Sequence, residues 1–216
     1  MSGVVVVSAG LSVPSSTRLL ADRLAAATAG HAPAGTEVRV VELRDLAVDI
    51  AHHLTSGFPG RTLAAALDAV TRADGLIVVT PVFSASYSGL FKSFFDVLDK
   101  DALAGKPVLI AATGGTARHS LVLDHALRPL FSYLRAVVVP TGVYAASEDW
   151  GAEGLPERIE RAAGELAALM GGFAGRRSDT GSRGDRTGEV PAARADGFTV
   201  VPFAEQLAAL RPAASR

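Results

Sequence analysis

The sequence predicts an α/β domain built on an open parallel sheet. Three observations carry this expectation. Short apolar, β-branched runs recur along the chain, as in Val4 to Ser8 and Gly75 to Thr80. Such runs are typical of strands buried on both faces. Helical patterns of about 10 to 15 residues lie between them, which is the rhythm of βαβ crossovers. Polar, glycine-bearing segments directly follow three of the runs: Ser8 to Arg18, Pro81 to Gly89 and Thr113 to His119. In an open parallel sheet, ligands bind outside the carboxyl ends of the strands, where strand order reverses.

Each element follows in order. The first strand is Val4 to Ser8, and Gly10 to Pro14 turns the chain. Ser15, Ser16 or Thr17 caps a helix over Arg18 to Ala27, because a hydroxyl there accepts from a free N–H of the first turn. Gly30, Pro33 and Gly35 break the chain before a second strand, Glu37 to Leu43. Arg44 to Gly60 reads as an irregular connection, and Arg61 to Ala73 as a helix. Gly75 to Thr80 is the third strand, and Leu90 to Leu98 is helical with Ser88 or Gly89 near its start. Lys106 to Thr113 is the fourth strand and His119 to Phe131 the next helix. Arg135 to Val143 is the fifth strand, and Pro156 to Met170 the closing helix. Right-handed crossovers leave few topologies. Five strands in this rhythm fit a three-layer sandwich with the flavodoxin-like sheet order 2-1-3-4-5.

Composition narrows the function. A chain of 216 residues with 49% apolar content favours one domain, expected over residues 1–173. A net charge of −1 gives no reason to expect nucleic acid or an anionic membrane as partner. With no cysteine, disulfides, thiolate catalysis and Cys-ligated metals are excluded. The apolar runs are too short to span a bilayer. The first strand begins without a signal-peptide pattern, so a cytoplasmic location is expected. Residues 174–197 are rich in Gly, Arg, Asp and Ser without apolar periodicity and read as a flexible linker. Residues 198–216, with Phe198, Val200, Val201 and Phe203, read as an apolar docking segment.

The three loops hold the candidate chemistry. Ser12, Ser15, Ser16 and Thr17 place four hydroxyls between a strand and a helix amino terminus. Free amides and about half a positive charge at that helix end suit a phosphate monoester. The plainer account is that these residues only cap the helix. In the second loop, Pro81 fixes a torsion after a buried strand. Val82, Phe83, Ser84 and Ser86 then offer backbone groups and apolar contact to a flat heterocycle. An ordinary strand-to-helix turn with Phe83 in the core is the alternative. In the third loop, Thr113, Gly114 and Gly115 allow close approach of backbone to ligand. Arg118 there is suited to a phosphate or is a solvated surface charge. The five histidines show no metal spacing with carboxylates, so no metal site is expected. His119 reads as a helix-start or surface residue.

These motifs resemble a known family. Ser15-Ser-Thr-Arg opens the first helix, Pro81-Val-Phe-Ser leads to Gly89-Leu-Phe-Lys92 and Asp96, and Thr113-Gly-Gly ends a late strand. Together they are similar to the NADPH-dependent FMN reductases, flavodoxin-like proteins, over about Val4 to Met170. The Thr113 to His119 stretch looks most like members that supply reduced flavin to luciferase-like monooxygenases. One departure is Ser12, which stands where many members carry arginine. The resemblance implies FMN as cofactor, held by Ser12, Ser15, Ser16, Thr17, Pro81, Val82, Phe83, Ser84, Ser86, Thr113, Gly114 and Gly115. It implies NADPH as substrate and no catalytic side chain, because hydride passes directly to the flavin, while Arg118, after two glycines at a strand end, is itself suited to the 2′-phosphate of that nucleotide. It also implies a homodimer or homotetramer that packs through the helix with Leu90, Phe91, Phe94, Phe95 and Leu98. The alternatives are an FMN-containing quinone or azo reductase and a flavodoxin-type electron carrier.

Overall fold

The computed structural model describes residues 3–180, with side chains through Gly172. In chain order the elements are β1 (Gly3–Ser8), α1 (Ser16–His31), β2 (Glu37–Glu42), α2 (Ala47–Ser56), α3 (Arg61–Arg72), β3 (Gly75–Phe83), β4 (Ser86–Tyr87), α4 (Gly89–Asp96), β5 (Pro107–Gly114), α5 (Arg128–Tyr133), β6 (Val137–Val138), β7 (Val143–Ala146) and α6 (Gly154–Thr180). The remainder of the expected linker, 181–197, and the segment 198–216 lie outside the described residues.

The sheet runs β2-β1-β3-β5-β6, and β7 also pairs with β5. Because β6 and β7 flank the same neighbour, they are two pieces of one fifth strand, and the order 2-1-3-4-5 holds. The main ladders are parallel: Val6 lies between Val40 and Ile77, and Val78 opposite Ile110. Side chains alternate across the pleat. Val4, Val6, Ile77, Val79 and Leu109 pack against α1 and α6 on one face. Val5, Val7, Leu76, Val78 and Ile110 pack against α3, α4 and α5 on the other. Both faces are covered, which is why these strands read as unbroken apolar runs. Among the described residues no helix is long and apolar enough to cross a membrane.

Four stretches differ from expectation. Residues 44–60 are not irregular: a 3₁₀ turn over Leu43–Leu46 leads into α2, which ends at Gly57 in the left-handed region (φ 78°). Within α2 only Ile50 is buried, and Val48 is 82% exposed, so the apolar stripe is too thin to see in sequence. The helix expected over His119 to Phe131 is broken into a 3₁₀ turn Ala117–His119, a π turn Leu123–Leu127 and α5. Pro129, near the start of α5, has no N–H for the regular ladder, and the wider turn directly precedes it. The fifth strand divides at Pro140, which lacks a donor. The next residue is held instead by Glu165 of α6, which accepts from the Thr141 amide and hydroxyl at 2.7 Å each. Finally, α4 is less exposed than its all-round apolarity implied. Phe91, Phe94 and Phe95 are buried within this chain; Phe94 lies edge-to-face on Phe95, and Phe91 and Phe95 lie edge-to-face on Phe131. Only the half-buried Leu90 and Leu98 remain for a subunit contact.

The strand β3 also runs three residues past its expected end and folds back as a hairpin, pairing Val82 with Tyr87 and Phe83 with Ser86. The two turn residues, Ser84 (φ 47°) and Ala85 (φ 62°), are both left-handed. Tight hairpins require that geometry, and glycine or asparagine normally supplies it. An L side chain held there is strained by roughly 1 kcal/mol or more. Ala85→Gly is therefore expected to raise the melting temperature by about 2–4 °C, the shift that ~1 kcal/mol gives in a chain of this size. An unchanged or lowered value in a thermal melt would show that the turn is not strained.

Candidate flavin site

The three loops meet at the carboxyl edge of the sheet, and specific contacts tie them together. In the first loop, Ser15 caps α1 by accepting from the Arg18 amide at 3.2 Å. The amides of Ser16 and Thr17 then head the helix with no acceptor among the described residues. Thr17 turns inward: its hydroxyl is buried and lies 2.8 Å from the hydroxyl of Thr113, at the end of β5. Thr113 in turn pairs in register with Pro81. One hydrogen bond and one ladder position thus join the first loop to the third and the third to the second.

The hydroxyls divide by role. Thr17 and Ser15 are used by the fold, whereas Ser12 and Ser16 are exposed. These two hydroxyls and the helix start form the part of the loop open to an anion. A cation also comes near it from the turn that follows β2. Arg44 donates from Nη1 to the Ser12 carbonyl at 3.3 Å. Arg18 and Arg44 both bond the half-buried Glu42, and Arg18 also bonds Asp22 at 2.8 Å. Glu42 and Asp22 balance these arginines, so the charge offered to an anion comes chiefly from the helix end. No motif marks Glu42 or Arg44, because only the parallel register of β1 and β2 brings them to the loop.

The second loop is a clamped hairpin. Thr80 accepts from the Ser88 amide at 3.0 Å across its base, and Ser88 caps α4 by accepting from the Phe91 amide at 3.2 Å. Pro81 and Val82 are half-buried, as is Ser86, while Phe83 and Ser84 are exposed at the tip. Phe83 is thus not a core residue.

The third loop is supported by a residue that sequence reasoning missed. The Tyr144 hydroxyl, on β7, donates to the Thr116 carbonyl at 2.7 Å. Its ring lies so near Gly114 that a Cβ there would collide with the hydroxyl and sit 3.1 Å from Cζ. Burial, then the charges of Glu148 and Asp149, push the Tyr144 phenol above its ordinary value of 10.0, so it remains a donor at neutral pH. Glu148 also accepts from the Ala117 amide at 3.3 Å. Gly115 and Arg118 are exposed beyond this support. Arg118 shares a cavity of about 320 Å³ with Ala85 and Ser86 of the hairpin, so the second and third loops face each other across it.

The profile of the NADPH-dependent FMN reductases matches residues 3–151. The chain belongs to this family. An FMN reductase (NADPH) of Pseudomonas aeruginosa is 45% identical over 174 residues, covering 78% of this chain and 92% of that protein. An NADH-dependent FMN reductase, SfnF, of Pseudomonas fluorescens is 44% identical over 173 residues, covering 78% and 91%. Among solved structures, an oxidoreductase of Corynebacterium diphtheriae has a TM-score of 0.75 at 52% identity, covering 80% of this chain and 98% of that one. The residues present fit the family's FMN. Unpartnered amides at the start of α1 and the exposed hydroxyls of Ser12 and Ser16 in and beside the loop suit its phosphate, and the hairpin and third loop end neighbouring strands at the same edge of the sheet.

Proposed function

We infer that the chain transfers hydride from a reduced nicotinamide to FMN. The observation that carries this reading is the joining of the three loops through Thr17, Thr113 and Pro81 at the topological switch point. Bound FMN would supply the hydride-accepting ring. The chain's part is to bind, orient and shield. Ser12, Ser16 and the first amides of α1 hold the phosphate. Ser15 and Thr17 hold the loop that presents them. Pro81, Val82, Phe83, Ser84 and Ser86, and Thr113, Gly114 and Gly115, are the residues that would contact the ring. Hydride from the nicotinamide, oxidised in the process, would pass to that ring, with solvent supplying the balancing proton. No protein acid or base is needed.

The test is direct. Purified protein with added FMN should consume NADPH or NADH and release reduced flavin. Consumption only with a quinone or azo dye would favour the acceptor-reductase reading, and consumption with neither would favour a carrier. Release of reduced flavin fits a partner monooxygenase, which belongs to this proposal, as do a cytoplasmic location and a homodimer or homotetramer.

Relatives of nearly equal identity are named for different nicotinamides, so overall similarity leaves the choice to individual side chains. We assign Arg118 to the 2′-phosphate that NADPH has and NADH lacks. Arg118→Ala is expected to raise the KM for NADPH about tenfold or more, since a charge-assisted contact is worth ~1.5–3 kcal/mol. The KM for NADH should move far less. Equal changes for both in steady-state kinetics would rule out this role.

A further inference from the structure

Residues 11–14 of the first loop are exposed. Among the described residues one hydrogen bond holds them, from Arg44 Nη1 to the Ser12 carbonyl at 3.3 Å. Whatever fixes Arg44 therefore fixes this stretch. Its Nε lies 3.4 Å from a carboxylate oxygen of Glu42 and 3.4 Å from one of Asp45. The two acids are not equivalent. The Asp45 side chain is 69% exposed and that of Glu42 16%, and a well-exposed pair contributes little. With its other oxygen Glu42 accepts from Arg18 Nη1, in the first turn of α1. Glu42 also stands in register with Ser8, the last residue of β1 before the loop. One carboxylate thus joins the end of β2, the start of α1 and, through Arg44, the middle of the loop. Arg18 has a second partner in Asp22 at 2.8 Å, so loss of Glu42 falls mainly on Arg44.

We propose that Glu42 is a positioning residue for the FMN phosphate: it holds Arg44 against the Ser12 carbonyl and so presets the loop that carries the Ser12 hydroxyl. The proposal rests on the first loop being the phosphate cradle and extends that reading. Charge and geometry pull in opposite directions here. A carboxylate near a phosphate site repels the ligand, and its removal leaves Arg18 and Arg44 with more net positive charge. By charge alone, Glu42→Gln binds FMN more tightly. By geometry it binds FMN more weakly, because Arg44 loses its less exposed acidic partner and the loop must then be ordered at the expense of binding. Geometry is the larger effect, since the freed charge lies near solvent and is screened. The sign of the change therefore separates a positioning carboxylate from a mere counter-charge.

The experiment measures Kd for FMN and for riboflavin by fluorescence titration in the native chain, Glu42→Gln, Arg44→Lys and the double variant. Glu42→Gln should weaken FMN about tenfold, the scale of one lost hydrogen bond, and leave riboflavin nearly unchanged. Arg44→Lys keeps the charge but loses the planar fork that reaches Glu42 and Ser12 together, so it should weaken FMN to a similar degree. Arg44 is outside the core, so this variant carries the test even where Glu42→Gln folds poorly. The double variant should bind FMN no more weakly than either single one, because both break the same chain of contacts. Unchanged or tighter FMN binding by Glu42→Gln overturns the proposal, as does native affinity in Arg44→Lys. Additive losses overturn it too, since the two residues would then act separately. Equal losses for FMN and riboflavin overturn it in favour of a general structural role. A native chain that binds riboflavin as tightly as FMN would instead refute the phosphate reading of the first loop.

Discussion

FMN is expected to bind about 10² to 10⁴ times more weakly to Ser12→Ala/Ser16→Ala than to the native chain, while riboflavin binding barely changes. In the proposed site each hydroxyl would donate to a charged phosphate, and such bonds are worth ~1.5–3 kcal/mol. The choice of serines follows from the division within the loop. Ser15 caps α1 and Thr17 bonds Thr113, so removing those hydroxyls disturbs the loop for both flavins. Losing the Ser15 cap alone would cost roughly 1 kcal/mol of stability. Fluorescence titration with the two flavins separates the cases. An equal loss for FMN and riboflavin in the Ser12/Ser16 variant would show that the phosphate lies elsewhere.

The second large effect is expected at Gly114. An alanine Cβ would collide with the Tyr144 hydroxyl, so the phenol must swing away from the Thr116 carbonyl. Overpacking costs typically 1–3 kcal/mol, and the lost hydrogen bond about 1 more. Gly114→Ala should therefore lower the melting temperature by roughly 5–15 °C and weaken both flavins. Adding Tyr144→Phe removes the colliding oxygen and should restore part of the loss, because only the contact to Cζ at 3.1 Å remains. No rescue would mean that the ring itself, or another neighbour, is the obstacle. The phenol also sets a direction with pH. Its raised pKa means that its share of stability is full below about 10 and is lost as pH climbs past that value. Tyr144→Phe should remove that alkaline component.

Much of the architecture was legible because both faces of the sheet are covered. Strands such as Val4 to Val7 and Gly75 to Thr80 are apolar without interruption, and the loops after them carry the polar residues. Elements with a weak stripe were not legible. In α2, one buried isoleucine is too little signal, and Pro129 broke a helix whose apolar pattern continued through it. At the site, the loops themselves could be found, but their division of labour could not. Nothing in Ser15-Ser16-Thr17 distinguishes a cap, an exposed donor and an inward-facing hydroxyl, because a residue 96 positions away makes the difference. Tyr144 was missed for a similar reason. Its role depends on β7 lying beside β5, and the fifth strand was expected to end one residue earlier. Glu42 and Arg44 reach the first loop by strand pairing, which leaves no local motif.

The interruption of that fifth strand at Pro140 has a further consequence. An exposed strand edge offers a row of free backbone groups on which another chain can build. Here the edge amounts to the two residues of β6 and, after a proline break tied down by Glu165, the four of β7. The opposite edge, β2, carries Glu37, Arg39 and Glu42. Among the described residues neither edge of the sheet presents a long, flat, uncharged template, which guards this sheet against edge-to-edge aggregation.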